Sequence, residues 1–332
     1  MHDPVLSEKA AKGMAYVNHA ANGATVASRE KRWEENIRAN KPHYSGETAT
    51  LRGLTAFIVC AGPSLDKNAA ELKNIGRLGI IVCVDAAFRH LTGLGIVPDY
   101  CMAIDSDSRC LTFIEGLDTS RTTLACMTSG SPEVISAWKG PRYFVSGIGG
   151  GTDAAEKAFA MSRKVVLLEN LKAGHELDIT KDVKVEFPGV LATVNCGGNV
   201  STAAWSFAYE ILRACKVVFV GADFSWTDAG FYAGGHYDHL SKERKTVERI
   251  MSHPDSNGGE VHTNLSFSSF KNYHENRAVQ YFNTHVNASE GGILGIGDGG
   301  NCKGKSLPGW EFLTLKEAIE KYTIRPEVLC PA

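Results

Sequence analysis

The chain has 332 residues, a net charge of −2, 43% hydrophobic and 22% charged residues. That is the composition of a soluble globular enzyme, with room for one large domain or two modest ones. It excludes a global field that would draw nucleic acid or an anionic membrane surface, and no apolar run approaches the ~18 residues of a membrane span.

The N-terminal stretch is polar and lacks the apolar core of a signal peptide. The nine cysteines are scattered, often inside apolar runs such as IIVCVD and DYCMAID, and none forms a C-x-x-C pair. They read as reduced, core-filling thiols of a cytoplasmic protein, without the clustering a zinc site needs.

Residues 1–50 are polar and form an N-terminal helical extension. Within it, SREKRWEENIRANKP carries Trp33 and Ile37 on one face and stops at Pro42, so it predicts an amphipathic helix docked on the main domain. The main domain runs from 51 to 332. LTAFIVC is a first strand, followed by a Gly-Pro-Ser turn and a helix over LDKNAAELKNIGRL. GIIVCVD is a second strand, AAFRHLTGLGI a second helix, and PDYCMAIDSD a third strand ending in acids. Alternating strands and helices with continuously apolar strands predict an α/β fold, Rossmann-like, with a mostly parallel sheet and helices on both faces.

Further along, TTLACMTS, RYFVS and KVVLLEN are strand candidates, and VSTAAWSFAYEILRAC is a strong helix entered through Gly-Gly-Asn. KVVFVGADFSW is a buried strand ending in Gly-x-Asp. From 225 to 300 polarity rises, and the Gly-, His- and Asp-rich runs predict a loop-rich lid around one helix, SFSSFKNYHENRAVQYFN. LTLKEAIEKY closes the chain as a short helix.

In open parallel sheets, ligands bind at the carboxyl ends of the strands. Gly62 permits close approach and a positive φ, Pro63 fixes φ, and Ser64 can cap; amides at Gly62–Leu65 could then attract a phosphate. A plain capped turn fits the same residues. Asp85 suits a ribose hydroxyl or an N-cap. Asp105 and Asp107 form an Asp-x-Asp that can hold a divalent cation such as Mg²⁺, or simply solvated turn acids. Asn199 opens a helix and offers an amide to a phosphate or base edge, or a cap. Asp223 suits a ligand or a loop pin. His236 and His239 lie three apart in a loop and suit a general base or a surface pair of no consequence. The remaining histidines, His274 among them, have no such neighbours in sequence.

Taken in order, VCAGPSLDKN, VCVDAAFRHLTGLGIVPDYCMAID, GGNVSTAAWSFAYEILRACKVVFVGADFSW and VNASEGGILGI resemble the MptE-like domain family, which includes Maf-type flagellin glycosyltransferases. The likeness spans roughly residues 30–320, and the GPSL turn is similar to that of a sialyltransferase fold that uses CMP-sugars. The resemblance implies a transferase with a nucleotide or nucleotide-sugar substrate. Gly62, Pro63 and Ser64 would then face the phosphate, Asp85, Asp105, Asn199 and Asp223 would line the cleft, and His236 or His239 would be the base. Two activities are implied: transfer of a nonulosonic acid sugar to protein hydroxyls, or diphosphoryl transfer from ATP to a hydroxymethylpterin with Mg²⁺. ACMTSGSP lacks the acids and histidines of the pterin branch, which favours the sugar transferase with a CMP-activated donor. A non-catalytic nucleotide-binding or assembly protein is the third reading. Donor, acceptor and oligomeric state are not read from the sequence.

Overall fold

The computed structural model describes residues 29, 31–43, 54–148, 190–237, 250–278, 285–295, 307 and 309–324. Its strands are β1 (Thr55–Val59), β2 (Gly79–Val84), β3 (Tyr100–Ala103), β4 (Thr123–Met127), β5 (Arg142–Ile148), β6 (Val190–Asn195), β7 (Lys216–Val220), β8 (Met251–Pro254), β9 (Glu260–Thr263), β10 (His285–Asn287) and β11 (Trp310–Phe312). All but β8 and β9 form a nine-stranded sheet in the order β11-β10-β7-β1-β2-β3-β4-β5-β6, and every pairing in it is parallel. β8 and β9 make a separate antiparallel hairpin within the loop-rich C-terminal part. The strand candidate KVVLLEN and His239 lie outside the described residues.

The central strands are buried on both sides, as their unbroken apolar sequences require: β1 and β4 expose almost nothing. The connections after β2 and β4 place the helix Asp85–Gly93 and its neighbour Pro132–Ala137 on one face, where Phe88 meets Trp138 at 5.2 Å between ring centroids. The connection from β6 to β7 carries Val200–Ser206, and the one from β9 to β10 carries Leu265–Ala278, which packs beside it on the other face. There Trp205 stacks on His274 at 5.4 Å and meets Phe219 edge-on. The anticipated helix after β1 is broken into one α-turn, Leu65–Asn68, and a 3₁₀ stretch, Ala69–Asn74.

The sequence moves from β1 outward to β6 on one side, then returns to β7 on the other side of β1 and continues to β10 and β11. The loops leaving β1 and β7 therefore diverge, and the switch point of the fold lies between their carboxyl ends.

The segment 31–40 is helical and docks as its apolar stripe predicts, with Trp33 7% and Ile37 0% exposed. Its polar residues do as much. The Asn36 amide donates to the carbonyls of Ser106 (3.0 Å) and Ser129 (3.1 Å). The Asn40 amide donates to Thr128 (3.0 Å) and Gly130 (2.8 Å). These carbonyls belong to the loops after β3 and β4, so the helix lies across the carboxyl ends of those strands. Among the described residues, no helix is long and apolar enough to cross a membrane.

Candidate active site

At the switch point, the turn after β1 and the turn after β7 grip each other. The Ser64 amide donates to Asp223 Oδ2 at 2.7 Å, and the Ser64 hydroxyl donates to Asp223 Oδ1 at 2.5 Å. The Gly62 amide donates to the Gly221 carbonyl at 2.9 Å. Both Ser64 and Asp223 are 3% exposed. Burial raises the Asp223 carboxyl to about 6, against the two Ser64 donors and nearby Lys67, which favour its charge. The loop after β10 closes over this contact: the Ile293 amide donates to the Asp223 carbonyl at 2.8 Å, and Ser289 accepts from the Ala222 amide at 2.9 Å. Three sequence motifs far apart in the chain (AGPSL, GADFS and NASEGG) thus meet around one buried aspartate.

This geometry changes the reading of the turn. Its amides are not open to a phosphate: Ser64 N–H is bound to Asp223, Leu65 N–H to the Gly62 carbonyl and Asp66 N–H to the Pro63 carbonyl. Ser64 caps no helix, because its hydroxyl is turned to Asp223. Gly62 is not in the left-handed region. It is needed for close approach, since a Cβ there would lie 2.5 Å from the Gly221 oxygen and 2.6 Å from Asp223 Cγ.

One strand over, the carboxyl ends of β2 and β3 form a second polar centre. Asp85 is 6% exposed, and one of its oxygens accepts from the Ala86 amide at 2.8 Å. Burial raises its carboxyl to about 7, and the Asp105 carboxylate adds to the rise. Tyr237 roofs the space. Its ring packs edge-on against Phe113 at 4.8 Å, and its buried hydroxyl faces the Arg89 guanidinium. Burial raises the phenol's pKa, the Arg89 guanidinium opposes this, and the Asp85 carboxylate adds to it. The roof is pinned by Ala233 N–H to the Ala61 carbonyl (2.9 Å) and Gly234 N–H to Asp66 Oδ1 (2.8 Å).

Asp105 and Asp107 face arginines from the leading segment and from the 3₁₀ turn Ser108–Phe113 rather than an open cation position. Arg29 donates to Asp105 at 3.3 Å, Arg32 to Asp107 at 2.9 Å, and Arg109 Nε to Asp107 at 3.1 Å. The Arg109 hydrogen bonds hold the Asp107 carboxyl down to about 2. Among the described residues, no group of His, Cys, Asp or Glu side chains is arranged to hold a metal ion. The pair as placed, each carboxylate met by a guanidinium, does not fit Mg²⁺.

Asn199 sits on the far face of the sheet, where it is a helix cap: its Oδ1 accepts from Thr202 N–H at 3.1 Å and its Nδ2 donates to Thr202 Oγ1 at 3.1 Å. His236 lies on the exposed turn beside the Asp85–Gly93 helix, its ring 6.2 Å from that of His90. The fold therefore brings Asp85 and Asp105 together, separates them from the Ser64–Asp223 contact by one strand, and leaves His236 outside the roof that Tyr237 forms.

Sequence reasoning passed over Tyr237, Arg89 and His274. The first two had a signal: Tyr237 follows the Gly-Gly-His run, and Arg89 is one helical turn beyond Asp85. His274 had none, because its partner is remote. It is fully buried, with Nδ1 2.9 Å from the Phe270 carbonyl and Nε2 3.2 Å from Ser201 Oγ. Burial lowers its pKa to about 4.

A parallel sheet covered on both faces, with a polar centre roofed by a loop at its carboxyl ends, defines a Rossmann-like α/β protein. Within that class the chain belongs to the 6-hydroxymethylpterin diphosphokinase MptE-like family, whose model matches residues 31–229. Among solved structures it is similar to the MAf glycosyltransferase from Magnetospirillum magneticum AMB-1, with a TM-score of 0.53 and 16% identity. The match covers 89% of this chain and 41% of that one, so the chain spans less than half of its structural relative. No curated protein matches the sequence.

Proposed function

We propose that the protein is a transferase that binds a nucleotide-activated donor at the carboxyl ends of β1 to β3, acts as a glycosyltransferase and takes a CMP-activated, nonulosonic-type sugar. The observation that carries this reading is the polar centre of Asp85, Asp105 and Tyr237. An anionic donor beside two carboxylates would be repelled if both were bare. Here Asp105 is paired with Arg29, and Asp85, raised to about 7, can carry a proton at neutral pH. The Tyr237 hydroxyl and the Arg89 guanidinium beside it are donors for a leaving phosphate. Membership of the MptE-like family and the fold shared with a glycosyltransferase support it.

In this mechanism His236 or His239 takes the proton of the acceptor hydroxyl, the acceptor oxygen attacks the sugar carbon, and the nucleotide leaves with the electrons of the broken carbon–oxygen bond. Thermal shift with CMP, UMP, AMP and GMP, each with and without Mg²⁺, tests the donor site. CMP is expected to give the largest shift; no shift with any nucleotide at millimolar concentration would sink the reading.

The family's own description favours a second reading, diphosphoryl transfer from ATP to a pterin-like alcohol. It requires release of AMP from ATP on incubation with the alcohol, and a preference for CMP counts against it.

A further inference from the structure

Three arginines gather where β3 ends. Arg29 donates through Nη1 to Asp105 at 3.3 Å, and Arg32 donates through Nη1 to Asp107 at 2.9 Å. Arg109 takes both oxygens of Asp107, with Nε at 3.1 Å and Nη2 at 3.2 Å. Three guanidinium groups thus meet two carboxylates, and Asp107 alone is met by two of them. The third acid of the centre, Asp85, is raised to about 7 and can carry a proton at neutral pH. The cluster keeps a positive excess that an anion would balance.

This excess lies in the donor centre. Asp85, Asp105, Asp107 and Arg109 all act on one half-buried side chain, Cys110, whose thiol is raised by burial and by the three acids and lowered by Arg109. Ser106, between the two acids, is 3% exposed, and its hydroxyl has no hydrogen-bond partner among the described residues. A buried hydroxyl needs a partner, and a bound ligand can supply one. The Asn36 and Asn40 bonds lay the leading helix across the exits of β3 and β4, on the side where the donor is placed. Arg29 and Arg32 also keep donors for a ligand. A guanidinium is a fork of several N–H groups, and among the described residues each of these two commits one nitrogen to its acid. Both side chains, and that of Asp105, are nearly half exposed.

We propose that the leading segment is part of the donor site, and that Arg29 and Arg32 bind the donor's phosphate directly while their acids hold them in place. This rests on the transferase reading and goes beyond it, since Arg29 there only screens Asp105. Asp105 and Asp107 are positioning residues that aim the planar guanidinium groups. Arg89 and Tyr237 meet the phosphate from the β2 side, and the leading segment meets it from the β3 side.

The test titrates the full chain with CMP and, in parallel, with cytidine, which lacks the phosphate. Arg29→Gln and Arg32→Gln should each weaken CMP binding about tenfold and leave cytidine binding unchanged. Their unfolding midpoints should stay within about a degree of wild type, because exposed ion pairs contribute little. Lys31→Gln removes the same charge from the same segment at an exposed side chain beside Glu35, and should bind CMP as wild type does. In an Asp105→Asn background the loss caused by Arg29→Gln should persist. If it vanishes there, Arg29 only screens Asp105, and direct binding is overturned. Wild-type CMP affinity in both arginine variants, or an equal loss of cytidine, overturns the proposal and leaves the donor site standing. A wild-type chain that binds neither CMP nor any other nucleotide sinks the transferase reading and this proposal with it.

Discussion

Ser64 gives both of its donors to one partner: its amide and its hydroxyl each bond an oxygen of Asp223, at 2.7 and 2.5 Å. The contact joins residues 159 positions apart and fastens β1's exit to β7's at the switch point. Replacing Asp223 with Ala strands two buried donors, and each such group costs about 1–3 kcal/mol. We expect Asp223→Ala to lose about 2–4 kcal/mol in urea denaturation. Ser64→Ala should lose less, since it keeps the amide bond; equal losses would show that the hydroxyl bond dominates.

Gly62→Ala should be as damaging as Asp223→Ala although it adds one methyl group. The new Cβ would press on the Gly221 carbonyl and on the Asp223 carboxylate itself. Overpacking of this kind costs about 1–3 kcal/mol when backbone must move. A melting temperature within a degree of wild type would show that the turn can shift.

Asp85 governs a pH window. Its carboxyl is raised by burial to about 7 in the folded chain, against about 3.9 in an unfolded one. The stability this group contributes is complete below the unfolded value and is lost as pH rises through 7, because the folded state then holds a buried charge. Asp85→Asn removes the charge. Its stability relative to wild type should therefore improve by about 3–4 kcal/mol between pH 4 and pH 8. Denaturant midpoints at the two pH values check this; a difference that does not change with pH would refute the shift. If donor binding uses the centre, the same variant should lose nucleotide affinity while gaining stability.

The leading helix separates charge from amide. Arg32 and Asp107 are an ion pair of partly exposed side chains, which contributes about 0–1 kcal/mol. The Asn40 amide is fully buried and bonds two carbonyls. Asn40→Ala should therefore cost about 2–3 kcal/mol and Arg32→Ala under 1. Added salt should shrink the second effect and leave the first unchanged.

The strands β1 to β5 and β7 were legible because a buried parallel strand needs an unbroken apolar run, and TAFIV, GIIVCV and KVVFV supply it. β10 and β11 were not, because three residues are too few for a periodicity and HVN sits against a glycine-rich segment. The β8–β9 hairpin was hidden because only alternate residues of EVHT are buried and its neighbour MSHP has no apolar face. At the site, the turn residues announced themselves by type, but not their partners. Nothing local in AGPSL says that its amides are already answered by an aspartate 159 residues on. Likewise nothing in PDYCMAIDSD says that its acids meet Arg29 and Arg32 from the opening helix. Residue type gave the chemistry, and contacts distant in sequence decided whether it was free to act.

The Asn36 and Asn40 clamps make the opening helix a separable part. It is bound to the sheet by side-chain amides, two guanidinium pairs and the buried Trp33 and Ile37, none of which needs the intervening peptide. A chain nicked between this helix and β1 should stay a non-covalent complex, and the two pieces, produced apart, should reassemble by complementation.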